Sequence, residues 1–565
     1  LRHQGKSRRW FVATIVMTAL FVASCTADGS SSTTTEGGTS ATTDGASGGG
    51  ETTTTSGGSG ERVLRIAVAE APDPFDPGVL SDNRTIELAQ NVFDGMTRIS
   101  EEDFSIVGGI ASEWTVSDDG LVYTFKLRDG VKFHDGTPVT AETVVYSLNR
   151  AASPDLASGY SFFLASIDGF DSVSDGSADV LAGVEAIDDL TVQVTLSFPA
   201  GYFTSLVALW PYWLVDENNI SADGDDWTDA GNLNGTGAFR FVEQVAESVY
   251  TFEANPDYYL GAPGGVDKVE VTIVPEPATA LARYEAGEFD VIRDLSAATY
   301  RQVLQDAELT AQLGVVPLMR TTWINMRSDV APFDEIGVRE AFNLAVDRPT
   351  IVEVALGGLG QPASTFLPPG VPASLAGERA EIQLNVEKAK QLLSDAGYPN
   401  GEGFPDTSLF YNAREDFQKV AELVQGQLQQ NLGISITLEP TPDRSYNELL
   451  NDPERRPTFS IYTFGLDYPD PQEQHEYLGK SQPSGFANYG NYSNAEFDDL
   501  IDTANATVGF DERMELHRKA ENIFLDDWAI IPLYHPLATW LAKPNVEGFE
   551  VTSLYMTRWE NVSIR

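Results

Sequence analysis

Residues 123–141 read Tyr123-Thr124-Phe125-Lys126-Leu127-Arg128-Asp129-Gly130-Val131-Lys132-Phe133-His134-Asp135-Gly136-Thr137-Pro138-Val139-Thr140-Ala141. Their order of apolar, charged and turn-forming residues specifies three structures in succession. Leu121, Tyr123, Phe125 and Leu127 alternate with Val122, Thr124, Lys126 and Arg128, the pattern of a half-buried strand. Asp129-Gly130 turns the chain into Val131-Lys132-Phe133, and Asp135-Gly136-Thr137-Pro138 turns it again. Thr140 then caps a helix whose apolar face is Val144, Val145 and Leu148.

Outward from this stretch, the first half of the chain is strand-rich. Strands are expected at 63–68, 184–196, 238–245, 248–254 and 269–274. The second half is more helical. A helix is expected at 338–346, and another at 386–396, capped by Asn385 and ended by Gly397 in the left-handed region. Phe417, Val420, Ala421, Val424, Leu428 and Leu432 recur at helical spacing and stop at Gly433. A strand at 434–438, helices at 496–506 and 511–527, and a strand at 530–534 follow. Alternating helices and strands indicate an α/β body.

The 565 residues are too many for one ordinary core and point to several domains. The net charge of −48, from 84 acids and 36 Lys plus Arg, repels phosphate backbones and argues against nucleic-acid binding. It fits a highly hydrated surface. One cysteine, Cys25, excludes an intrachain disulfide and a cysteine-based zinc site.

Residues 1–24 read as an export signal. Arg2, Lys6, Arg8 and Arg9 precede an apolar run at 10–21, too short for a permanent span. The run ends in Val22-Ala23-Ser24-Cys25, which resembles the lipobox of bacterial lipoproteins and implies lipidation at Cys25. Ser7-Arg8-Arg9-Trp10-Phe11-Val12 resembles a twin-arginine signal and fits an ordinary Sec signal equally well. Residues 25–61 are rich in Ser, Thr and Gly and read as a flexible tether.

Catalytic signatures fail. His475-Glu476 lacks the second histidine of a zinc-protease motif, no G-x-S-x-G elbow occurs, and Gly357-Gly358-Leu359-Gly360 lacks the lysine of a phosphate loop. Gly235-Thr236-Gly237 lacks the third glycine of a dinucleotide fingerprint. His134 reads as a turn residue and His535 as a strand-end residue. Neither an enzyme nor a cofactor is expected.

The 123–141 stretch, with Ser112-Glu113-Trp114 before it and Val144-Val145-Tyr146-Ser147 after it, resembles the oligopeptide- and dipeptide-binding members of the extracytoplasmic solute-binding proteins, family 5. Val92-Phe93-Asp94-Gly95-Met96, Asn255-Pro256-Asp257-Tyr258-Tyr259, Asp347-Arg348 and Asp467-Tyr468-Pro469-Asp470-Pro471 agree in order. The resemblance implies two periplasmic-binding-protein-like α/β lobes closing on a cleft. Lobe I would be 62–105, 232–318 and 533–565, with a subdomain 106–231 inserted, and lobe II 319–532. The chain would cross twice, near 318 and near 532, which suits a hinge. An acidic stretch, 223–229, departs from the pattern and leaves the subdomain boundary open.

The resemblance implies a monomeric lipoprotein on the outer face of the cell membrane, or in a periplasm, delivering oligopeptides to an ABC permease and its ATPase subunits. Asp467 would receive a peptide α-ammonium, since a cation entering a closed cleft needs a fixed opposite charge; the alternative is that Asp467 and Asp470 only cap a Pro-flanked turn. Thr463 and Gly465 would offer a strand edge to a ligand backbone, with Gly465 permitting close approach. Ser81-Asp82-Asn83 and Tyr160 are expected to line the cleft. Trp323 and Phe464 are candidate cleft aromatics, against a role in core packing. A non-peptide ligand is the alternative: oligosaccharide, metal chelate or another amine. A saccharide would need stacked aromatics and not Asp467. A secreted hydrolase or a surface adhesin is the remaining contrast.

Overall fold

The computed structural model describes residues 61–245, 248–481 and 487–565. The export signal, Cys25 and nearly all of the tether lie outside the described residues. No helix among the described residues is long and apolar enough to cross a membrane.

The Val122–Leu127 strand buries Tyr123, Phe125 and Leu127 and pairs antiparallel with Ala111–Val116 and Thr191–Thr195. Gly130 and Gly136 take φ of 80° and 95° in the two turns, a region open to glycine and costly for other residues. Thr140 precedes the Ala141–Ala152 helix, where its N–H donates to the Thr143 hydroxyl. The strand expected at 184–196 is two strands, Val184–Asp188 and Thr191–Thr195. Asp188 accepts from the Leu190 N–H and so folds the chain back on itself.

A second sheet has twelve strands and reads as two halves. One half carries Phe239–Val245, Val249–Ala254, Lys268–Ile273, Val63–Val68 and Val291–Arg293 in spatial order. The other carries Arg320–Met326, Phe459–Gly465, Thr407–Asn412 and Ile436–Thr441. The last strand starts two residues later than expected because the Ile434 N–H still closes the preceding helix on the Leu428 carbonyl. The strand expected at 530–534 is the thirteen-residue Ile530–Ala542 and belongs to both halves. Its start pairs with Arg320–Met326, and its end pairs with Leu313–Pro317 and Val291–Arg293. Two connections, 317–320 and 534–537, therefore run side by side between the halves.

Each half has its own core. Leu64, Phe125, Trp210 and Phe252 belong to the first; Ile324, Phe342, Val424 and Phe459 belong to the second. The acidic stretch is the end of the Glu217–Asp223 helix and a following turn, pinned by buried Trp227, over which the Arg150 guanidinium sits at 5.4 Å. A Cβ at Gly235 would collide with the Val92 carbonyl, and His134 brackets this loop through the Gly235 N–H and Gly237 carbonyl. The Gly235-Thr236-Gly237 glycines thus serve backbone packing. His535 lies inside the long strand, bonded to the Thr321 hydroxyl at 3.1 Å, and is not a strand end.

Candidate functional site

A large cleft, about 1070 Å³, lies where the halves of the large sheet meet. Ser81, Asp82 and Asn83 line one wall, and Arg320, Thr463 and Arg414 line another. Asp82 caps the Asn83–Ala89 helix by accepting from the Thr85 N–H at 2.8 Å. Its second oxygen is buried and has no hydrogen-bond partner among the described residues. Such an acceptor is costly until a donor arrives.

Thr463 lies in the Phe459–Gly465 strand and accepts from the Thr322 hydroxyl at 2.9 Å. That strand pairs along its whole length with Arg320–Met326. On its other side, Thr407–Asn412 meets it only at Phe410–Ser460. Residues 461–465 thus have a ladder partner on one side only, the arrangement that accepts an added strand. Gly465 does not offer the expected bare backbone. The Arg320 guanidinium lies across it, and a Cβ there would sit 2.8 Å from Nη2.

Asp467 follows at the strand's end and lines a smaller pocket of about 40 Å³ with Trp210, Trp213 and Leu209. Its N–H donates to Glu473 at 2.9 Å. Burial raises the Asp467 carboxyl to about 6, while Glu473 and Arg320 oppose the rise. Burial, then the Asp467 charge, drives Glu473 well above the usual carboxylate range. The pair therefore carries one charge near neutrality, with the proton on Glu473 and the anion on Asp467. Turn capping falls to Asp470, which accepts from the Gln472 N–H and forms a buried ion pair with Arg513 at 2.5 Å.

Tyr160 does not line the large cleft as expected; it packs edge-on to Trp210 at 5.1 Å, beside the smaller pocket. Its hydroxyl is pushed up to about 12 by burial and then by the charge of Asp467. Trp323 is not a cleft aromatic: it is 1% exposed, and its indole N–H donates to Asn325 at 2.7 Å. Phe464 packs against two apolar clusters and does not line the cleft. His475 is enclosed between Glu521 and His517 at 2.8 and 3.1 Å, within the protein interior. Glu473 and Arg320 escaped the sequence reading because neither carries a motif in so acid-rich a chain.

A family model described as Bacterial extracellular solute-binding proteins, family 5 Middle matches residues 105–486. The chain belongs to this family. Its members are solute-binding proteins, not enzymes, and the α/β fold is their two-lobed one. The chain is 28% identical over 500 residues to the oligopeptide-binding protein OppA of Bacillus subtilis, covering 86% of this chain and 90% of that one. It is 30% identical over 500 residues to the probable deoxycholate-binding periplasmic protein YgiS of Escherichia coli, covering 86% and 91%. The solved structure of MppA, a periplasmic murein tripeptide binding protein in an unliganded open form, superposes with a TM-score of 0.78. It is 28% identical and covers 89% of this family 5 chain and 97% of its own.

Proposed function

We propose that this family 5 protein is the substrate-binding lipoprotein of an ABC importer, capturing oligopeptides in the cleft and delivering them to the permease. One observation carries the reading: Asp467, kept anionic by a protonated Glu473, closes a strand that has no ladder partner on its outer side past Ser460, although the Tyr446 hydroxyl takes the Ile461 carbonyl. An anion beside an open edge suits a peptide's α-ammonium and the main chain that follows it. Thr463, Asp82 and Asn83 would bond that main chain, Tyr160 would flank the first residue, and Gly465 would seat Arg320. Cys25 would anchor the protein to the membrane through lipid. Lobe II, 319–532, would close on lobe I at 317–320 and 534–537.

The test is native purification of the folded chain, mass spectrometry of whatever it retains, and a thermal-shift screen with peptide pools. A ligand at a hundred times its dissociation constant adds about 2.7 kcal/mol of stability. A ladder of short peptides, with shifts abolished by N-acetylation, is expected. Sugars or chelates with no peptide shift would keep the importer reading and discard the peptide.

A further inference from the structure

Arg320 opens the Arg320–Met326 strand opposite Gly465. Its Nε, Cζ and Nη2 all lie within 2.9 Å of where a Cβ on Gly465 would stand, so the missing side chain makes its seat. The guanidinium faces the large cleft. Other cleft arginines are neutralised: Arg84 by Glu87 and Asp294, and Arg414 by Asp416. Among the described residues the Arg320 side chain has neither an ion pair nor a hydrogen bond, although the chain holds 84 acids against 36 Lys plus Arg. Asp467 is its chief electrostatic counterpart, and Arg414, Tyr462 and Tyr555 also face it. Burial pulls its pKa down, as expected of a cation short of partners.

A half-desolvated guanidinium with a free fork of donors is best completed by a bidentate carboxylate. We propose that Arg320, seated over Gly465, receives a carboxylate of the ligand close to the amine taken by Asp467. The proposal rests on the peptide reading and adds a selectivity to it: ligands carrying ammonium and carboxylate close together. The carboxylate is either the C-terminus of a short peptide or an acidic side chain near the N-terminus.

Titration calorimetry on the wild type, Arg320→Gln and Arg320→Lys, with three probes, tests this. The probes are trialanine, trialanine amide and Ala-Glu-Ala amide. The wild type should bind at least one carboxylate-bearing probe about tenfold or more tighter than trialanine amide. Preference for trialanine identifies the terminus, and preference for Ala-Glu-Ala amide the side chain. Arg320→Gln should erase the difference between the carboxylate-bearing probes and trialanine amide, and Arg320→Lys should keep part of it. Equal binding of all three by the wild type, or discrimination surviving in Arg320→Gln, overturns the role of Arg320 and leaves the peptide reading standing. No binding of any probe, including trialanine amide, overturns both.

Discussion

The Asp467 N–H donates to the Glu473 carboxyl group at 2.9 Å, and near neutrality the two acids share one proton, which resides on Glu473. That bond holds the two acids together and by itself favours ionised Glu473; burial and the Asp467 charge outweigh it and leave Asp467 as the charged member. Trp210, Trp213 and Leu209 line the same small pocket as that charge.

Asp467→Asn should weaken binding of free-amine peptides by about 2–5 kcal/mol, the usual cost of removing one partner of a desolvated charge pair. Folding should be spared, because turn capping belongs to Asp470. Calorimetry with free and N-acetylated versions of one peptide checks this. Equal loss for both versions would mean that Asp467 acts on something other than the amine.

Binding should depend on pH in a defined direction. Asp467 titrates at about 6, so it is anionic above that value and neutral below it. Affinity for an ammonium ligand should hold from about pH 6.5 to 7.5 and fall as the pH drops through 6, with the thermal midpoint followed in parallel to exclude unfolding.

Glu473→Gln should raise the thermal midpoint near pH 7.5. The Glu473 pKa is raised on folding, so the folded protein holds a proton that the unfolded chain releases above about 4.3, and stability falls as pH climbs through that window. Glutamine carries no such linkage and keeps both an acceptor and a donor for Asp467. The gain should vanish near pH 4, and ligand affinity at neutral pH should be retained.

Gly235→Ala should cost about 1–3 kcal/mol or more, because the added methyl meets the Val92 carbonyl and backbone must shift. Chemical denaturation measures it.

Cys25→Ser should release the protein from membranes into the soluble fraction if lipid at this residue is its anchor. Fractionation with an antibody to the folded domain reads the outcome directly.

Local devices were legible in advance because their causes lie within a few residues. The turns at Gly130 and Gly136, the Asn385 cap and the Gly433 stop all stand where spacing and turn chemistry put them. The family was legible for a related reason: its longest motif is a run of such devices. Boundaries slipped where a distant contact intervened, as in the long Ile530–Ala542 strand, which extends because two separate parts of the sheet pair with it.

The candidate site was legible only as an alignment of positions. Asp467, Thr463 and the 81–83 segment could be named, but the chain alone does not say that Glu473 holds the proton, that Arg320 covers Gly465, or that Trp323 is buried. Each of these depends on burial or on strands far apart in sequence. Desolvation, pairing and steric access are properties of surroundings, and only the tertiary packing supplies the surroundings. The sequence by itself determined the α/β elements, the family and the charge. The packed sheet decided which acid is charged at the end of the Phe459–Gly465 strand and which arginine is left without an ion pair.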